Sequence, residues 1–489
     1  MKTNSRYHSS SWSTTQWIIF ILALILLLFL TVGLKGQTVP PTLKATPTSE
    51  ETPTEGTQYD RNFIDKLGKE YVSLKPNNAL VIGIFFRRNS FEKNGQKQVF
   101  TYGETKKGNG IKPNENAIFE IGQMSEVFTT SLLALLEMEG KVSSVEPVQD
   151  VLKGVLKVPY YQRMVCQAAP IKQPVAPEDM RPPLTICFPD TKDMPQMMVL
   201  CDLATHSSGL PEAPYAGLFV GKNAYKDYTF DKLKKYISNL PPNEAFGFQY
   251  NHSMVGTALL GQALAVRMKK SYAAILKEQI LDPLSMEHTF VSPNAEQAKL
   301  FINGHTAKGV YTPHRDYNAL TPAAGIRSSV PDLLTFLEAN LYNLSIPKAF
   351  GTEKEAPSDK NKFNIALAET HTPRIYTDAR NSEYLMGWGW IQSPLEERDS
   401  KNNPIRMDSY GHGLKGTKKM YTQGGERGGF AVFMGFVKES GTAVVVLSNT
   451  ANSVQDMGHE ILKSLQSEWT PTAKAPEKIK TASVQPIKN

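Results

Sequence analysis

The chain has 489 residues, of which 40% are apolar and 21% charged, with 34 glycines and 32 prolines. That profile excludes a disordered or fibrous protein and leaves room for one large enzyme-like fold or about three average domains. A net charge of +7, from 54 basic and 47 acidic residues, is too weak an excess to imply a nucleic-acid partner. Cys166, Cys187 and Cys201 are too few for a disulfide scaffold and lack the spacing of a zinc site. The nine histidines contain no pair at metal-binding spacing, so neither a metal nor a cofactor is expected.

In chain order, residues 1–16 read as a short cytoplasmic segment and 17–34 as a transmembrane anchor. Trp17 to Leu34 carries no charge, and as a helix it spans about 27 Å, enough to cross a bilayer. A cleaved signal peptide is the alternative, but Gly33-Leu34-Lys35-Gly36 fits a cleavage site poorly. Lys2 and Arg6 before the span and Lys35 and Lys44 after it leave its orientation open. Residues 35–58 are rich in Thr and Pro and read as an extended linker. The folded part is expected over 59–469, and a basic polar tail over 470–489.

Within the folded part, Ala79 to Phe86 and Gln98 to Tyr102 read as a hairpin, as do Gly429 to Val437 and Thr442 to Leu447. Between them, Ser125 to Met138, Met254 to Met268, Tyr272 to Ile280 and Val330 to Leu341 show helical spacing of apolar residues. Strands at both ends with helices between predict an α/β (α+β) fold: a sheet assembled from the two chain ends, with a helical lobe inserted. A proline-rich stretch over about 150–195 reads as a surface insertion with Cys166 and Cys187 at its ends. A disulfide between them would clasp it outside the cytoplasm; three unconnected thiols are the alternative. No phosphate-cradling loop and no Gly-x-Ser-x-Gly elbow is present, and His206 before Ser207-Ser208-Gly209 reads as a turn.

Phe119-Glu-Ile-Gly-Gln-Met-Ser-Glu-Val-Phe-Thr129 resembles the start of the active-site helix in class C β-lactamases and related penicillin-binding-protein-like serine hydrolases. The resemblance continues in order through Leu203-Ala-Thr-His-Ser-Ser-Gly-Leu-Pro211, Phe248-Gln-Tyr-Asn-His252, Ala324-Gly-Ile-Arg-Ser328, Gly387-Trp-Gly-Trp390 and Gly425-Glu-Arg-Gly-Gly-Phe430, ending in Leu447-Ser-Asn449. It implies a β-lactamase/transpeptidase-like fold and a domain on the outer face of the membrane, periplasmic or extracellular. The family chemistry needs a serine nucleophile, a lysine three positions later, the tyrosine of a Tyr-x-Asn block and a Lys-Thr-Gly or His-x-Gly strand. The corresponding positions here are Gln123, Glu126, Tyr250 with His252, and Gln423. Only Tyr250 is kept. Ser125 falls on the variable position between the catalytic pair, and His412 in Gly411-His-Gly413 lies out of register.

Glutamine cannot be an acylating nucleophile, and Glu126 would raise the pKa of Tyr250 and make it a poorer base. The expected protein is therefore a membrane-anchored, catalytically degenerate relative that binds a cell-wall peptide or a protein partner. Tyr250, His252, Gln423, Gly425 and Arg427 are its candidate ligand contacts. The alternative is a hydrolase with a rebuilt acid–base site of Glu126, Tyr250 and His252 acting on an activated water; a third reading is a coincidental likeness with another architecture. Trp388 and Trp390 are expected in the core.

Overall fold

The computed structural model describes residues 59–466, apart from 75–78, 88–94, 107–108, 162–163, 169–184, 190–195, 215–224, 241–246, 248, 342–358, 379–380 and 396–417. The span 17–34, the linker 35–58, the tail 470–489 and His412 lie outside these residues. No helix among the described residues is long and apolar enough to cross a membrane.

Helix α1 (Arg61–Leu74) leads into the hairpin β1 (Ala79–Phe86) and β2 (Gln96–Gly103). A 3-10 turn, Gly122–Met124, opens α2 (Ser125–Met138). The insertion contributes a two-stranded ribbon, β3 (Met164–Ala168) and β4 (Thr185–Pro189). Then come α3 (Met254–Met268), α4 (Thr321–Ala324) and α5 (Val330–Asn340). The chain closes with β5 (Ile375–Asp378), β6 (Asn381–Met386), β7 (Ile391–Pro394), β8 (Lys419–Arg427), β9 (Phe430–Val437), β10 (Thr442–Ser448) and α6 (Gln455–Ser464).

One antiparallel sheet of eight strands has the order β5-β6-β7-β8-β9-β10-β1-β2, so the two terminal hairpins meet where β1 pairs with β10. This is the sheet expected from the two chain ends. Strands β1, β9 and β10 are buried along their whole length because both faces are covered. Alternate side chains serve the two covers. Leu80, Ile82 and Ile84 pack with Ile64 of α1 and Ile461 and Leu462 of α6. Val81 and Phe85 join Leu333 and Leu334 of α5 and the larger helical core on the other side.

The predicted helices over 125–138 and 254–268 keep their bounds. The one predicted over Tyr272 to Ile280 is α-helical only for Tyr272–Leu276 and widens into a π turn over Lys277–Leu281. Asp282, itself helical, donates its N–H to the Lys277 carbonyl five positions back at 2.9 Å, the bond that defines the wider turn. Nearly all of α2 is buried, Ser125 through Leu136 without interruption. Its lack of a polar face follows from its place inside the lobe, among α3, α4 and the helix Asp359–Glu369. Trp388 and Trp390 are fully buried, as expected.

Helices α3 and α4 approach most closely at Gly261, where an added β-carbon would overlap the ring of Pro322. Gly261→Ala is therefore expected to cost about 1–3 kcal/mol through overpacking, read as a lower denaturant midpoint at unchanged m. In the ribbon, Cys166 and Cys187 are directly opposed cross-strand partners. Opposed antiparallel residues stand about 4.5–5.5 Å apart at Cα, within disulfide range. Peptide mapping without reductant is expected to recover Cys166 and Cys187 linked and Cys201 as the free thiol; three alkylatable thiols would refute the clasp.

Candidate active site

Three segments converge at the start of α2. The 3-10 turn carries Gln123, the first turn of α2 carries Glu126, and Gly122 adopts a left-handed φ of 51° that lets the chain turn inward beside Arg427. The turn after the short helix Leu200–Ala204 brings His206, itself left-handed at φ 55°. The segment just before α3 brings Tyr250 and His252. Strand β8 supplies Gln423, Gly425 and Arg427.

Glu126 is fully buried. Its Oε2 stands 3.3 Å from His206 Nε2 and 3.1 Å from His252 Nε2, and its Oε1 has no hydrogen-bond partner among the described residues. On the far side of the His252 ring, Nδ1 lies 2.5 Å from Glu212 Oε2, and Glu212 Oε1 accepts from Arg427 Nη2 at 3.3 Å. The donors fix the protonation pattern. The backbone N–H of Ser253 points at His206 Nδ1, at 3.2 Å, so Nδ1 accepts and the proton of a neutral His206 sits on Nε2, facing Glu126. His252 stands between two carboxylates, which favours protons on both nitrogens. A chain of alternating charge results: Glu126, His252, Glu212, Arg427.

Burial alone would raise the Glu126 carboxyl, but the His252 and His206 rings outweigh it and bring it down to about 2. Burial likewise disfavours the His252 cation, yet Glu126 and then Glu212 lift it to about 10. Tyr250 is pushed up, first by burial and then by the charges of Glu126 and Glu212. The effect of Glu126 on Tyr250 is thus the expected one, with burial the larger cause.

Several sequence readings change here. Gln423 is buried and spends its carboxamide on the backbone, donating to the Gly389 carbonyl at 3.0 Å and accepting from Gly424 N–H at 2.9 Å. It ties β8 to the Trp388-Gly389-Trp390 turn. Gly425 lies beneath Gln123, whose Oε1 would collide with any β-carbon there. Arg427, a candidate ligand contact, donates to Glu212. Ser125 is buried with its Oγ accepting from Ile326 N–H at 3.1 Å. His206 does form a turn, but it also donates to Glu126. The expectation of no metal rested on spacing within the sequence. Folding instead brings ligand atoms of Glu126, His206 and His252 within 4.8 Å of one another. Glu212, the residue after Leu210-Pro211, carried no sequence signal.

A family model described as Beta-lactamase matches residues 92–466. The chain is 22% identical over 367 residues to a beta-lactamase of Providencia stuartii, covering 73% of this chain and 80% of that one. It is 24% identical to the D-alanyl-D-alanine-carboxypeptidase/endopeptidase AmpH of Escherichia coli K12, covering 75% and 80%. Among solved structures, a class C beta-lactamase aligns with a TM-score of 0.60 at 20% identity, covering 86% of this chain and all of that one. A beta-lactamase/D-alanine carboxypeptidase from Pseudomonas syringae aligns at 0.58 and 16% identity, covering 84% and 99%.

The charge chain has a pH signature. The stabilising shift of His252, upward from 6.5, is fully present below that value and lost as pH rises through about 10. That of Glu126, downward from 4.5, is fully present above that value and lost as pH falls through about 2. Denaturant midpoints measured with a chelator present are expected to be highest between pH 4.5 and 6.5 and to fall on both sides. His252→Asn is expected to flatten the alkaline limb while costing about 3–5 kcal/mol, the usual loss when one partner of a buried pair is removed.

Proposed function

The chain belongs to the beta-lactamase family, and we propose that within it this protein is a membrane-anchored, extracytoplasmic binding protein that has lost serine acylation. One observation carries the reading. At the position where the family chemistry needs a lysine to take the serine's proton, a buried carboxylate stands, already matched by two imidazoles. Deprotonating a hydroxyl there would place a second negative charge beside Glu126, with no base to receive the proton. Gln123 at the nucleophile position and the raised phenol of Tyr250 support the same conclusion.

The ligand class follows from the relatives. A protein 24% identical to this one carries the name D-alanyl-D-alanine-carboxypeptidase/endopeptidase, and a cleft that retains the fold without the nucleophile would hold such a cell-wall peptide, or a protein partner, without cleaving it. The apolar span Trp17 to Leu34 would tether the domain at the membrane. A second reading, an acid–base hydrolase built on Glu126 and His252, is favoured by their 3.1 Å contact. It is the weaker of the two, because an imidazolium between two carboxylates has no lone pair with which to activate water.

Exposure of the full chain to a fluorescent penicillin is expected to leave no covalent label. The triple variant Gln123→Ser, Glu126→Lys, His252→Asn, checked for a cooperative thermal transition, is expected to be labelled. Labelling of the unaltered chain that disappears in Ser125→Ala would sink the reading. Turnover of an ester or amide substrate that is lost in both Glu126→Gln and His252→Ala would establish the second one.

A further inference from the structure

We propose that Glu126, His206 and His252 bind a zinc-class divalent transition-metal ion, with Glu126 Oε2, His206 Nε2 and His252 Nε2 as its three protein ligands. Two imidazole nitrogens and one carboxylate oxygen form a donor set that suits such an ion, and three protein ligands leave a fourth position open. The geometry agrees. Bonds of about 2.0–2.1 Å at tetrahedral angles put neighbouring donors about 3.3 Å apart. Glu126 Oε2 stands 3.3 Å from one imidazole nitrogen and 3.1 Å from the other, and the two nitrogens are no more than 4.8 Å from each other.

Two further observations point to a ligand. Glu126 is fully buried, yet its second oxygen, Oε1, has no hydrogen-bond partner among the described residues, which leaves the carboxylate half satisfied. Glu212 holds the outer nitrogen of His252 at 2.5 Å, the carboxylate–histidine arrangement that orients a metal-ligating ring and raises its basicity. The three ligands come from separate segments, namely the first turn of α2, the turn at His206 and the residue before the N-cap of α3. The side chain of His252 retains 26% exposure, against 1% for the other two, which gives an ion its path of entry.

Protons and charge balance. The proton on His252 Nε2 leaves to solvent, and the His206 proton moves from Nε2 to Nδ1. Glu126, His252 and Glu212 together carry one negative charge with His252 protonated; with a dication bound and both rings neutral, the charge of the cluster is zero. The cost is the Ser253 N–H bond to His206 Nδ1, which must be given up once Nδ1 carries a proton. That leaves two buried N–H donors face to face, a larger cost than a lost neutral hydrogen bond, and the three coordinate bonds have to offset it.

This inference is independent of whether the cleft acylates, so its failure leaves the proposed function standing. The full chain, stripped with a chelator and desalted, would be titrated with zinc chloride, with retained metal measured after gel filtration and thermal unfolding followed in parallel. One zinc per chain and a raised melting temperature are expected. Glu212→Gln should weaken binding about 10- to 100-fold, and His252→Asn should abolish stoichiometric retention. Cobalt substitution should give the visible absorption of a low-symmetry nitrogen and oxygen site in the unaltered chain alone. The proposal is overturned if the unaltered chain retains no stoichiometric zinc, or if His252→Asn, shown to be folded by its thermal transition, retains as much.

Discussion

A carboxylate shut away from water has to be answered by its neighbours, and in this protein Glu126 sets that demand. An ion of this size costs several kcal/mol to bury even after relaxation, and the surrounding segments supply what offsets it. His206 adopts a left-handed backbone that turns its ring inward, and His252 sits one residue ahead of the Ser253 N-cap of α3. Once His252 is drawn to Glu126, its outer nitrogen needs an acceptor, which Glu212 provides, and Glu212 in turn engages Arg427. A single anion at the head of α2 thus organises contacts between four separated stretches of chain.

The contacts beside this cluster tie the same elements together. Gln423 is consumed in holding β8 to the Gly389 turn, and that turn packs on α2 through the bond from Thr130 Oγ1 to the Trp388 carbonyl. Gly425 keeps its surface low so that Gln123 can lie across it. Sheet, turn and helix therefore fix one another around Gln123. In the register that the family resemblance implies, an anion takes the place of a cation at position 126 and an imidazole that of an amide at position 252.

Much of the fold was legible in the sequence because periodicity reports burial. The runs in β1, β9 and β10 are continuously apolar since both faces of the sheet are covered, and α2 and α3 show their bounds in the same way. The π turn at Lys277–Leu281 was not legible, because one backbone bond to a carbonyl five positions back leaves the apolar spacing close to that of an α-helix. In the site, Gln123, Glu126 and His252 could be placed from the order of short blocks. Glu126 and His252, 126 residues apart, could be grouped in one site only through those blocks. Glu212 and Arg427, 215 apart, could not be paired, since Glu212 lies in none of the catalytic blocks and no local spacing encodes a pair of that kind. His206 illustrates the limit, since its reading as a turn was correct and hid its second role.

The meeting of β1 with β10 in the middle of the sheet bears on how the protein is made. Leu80 finds its partner at Ser448, 368 positions later, so the first strand emerges from synthesis long before the neighbour that covers its edge exists. Until then only β2 protects it, on one side. A sheet closed by contacts so distant along the chain pays its loop-closure entropy early and is rewarded late, which makes folding slow and leaves an apolar edge open to aggregation in the interval. The final hairpin is accordingly the element that commits the domain, and a chain cut short before Thr442 would lack the strand to which its own beginning must attach.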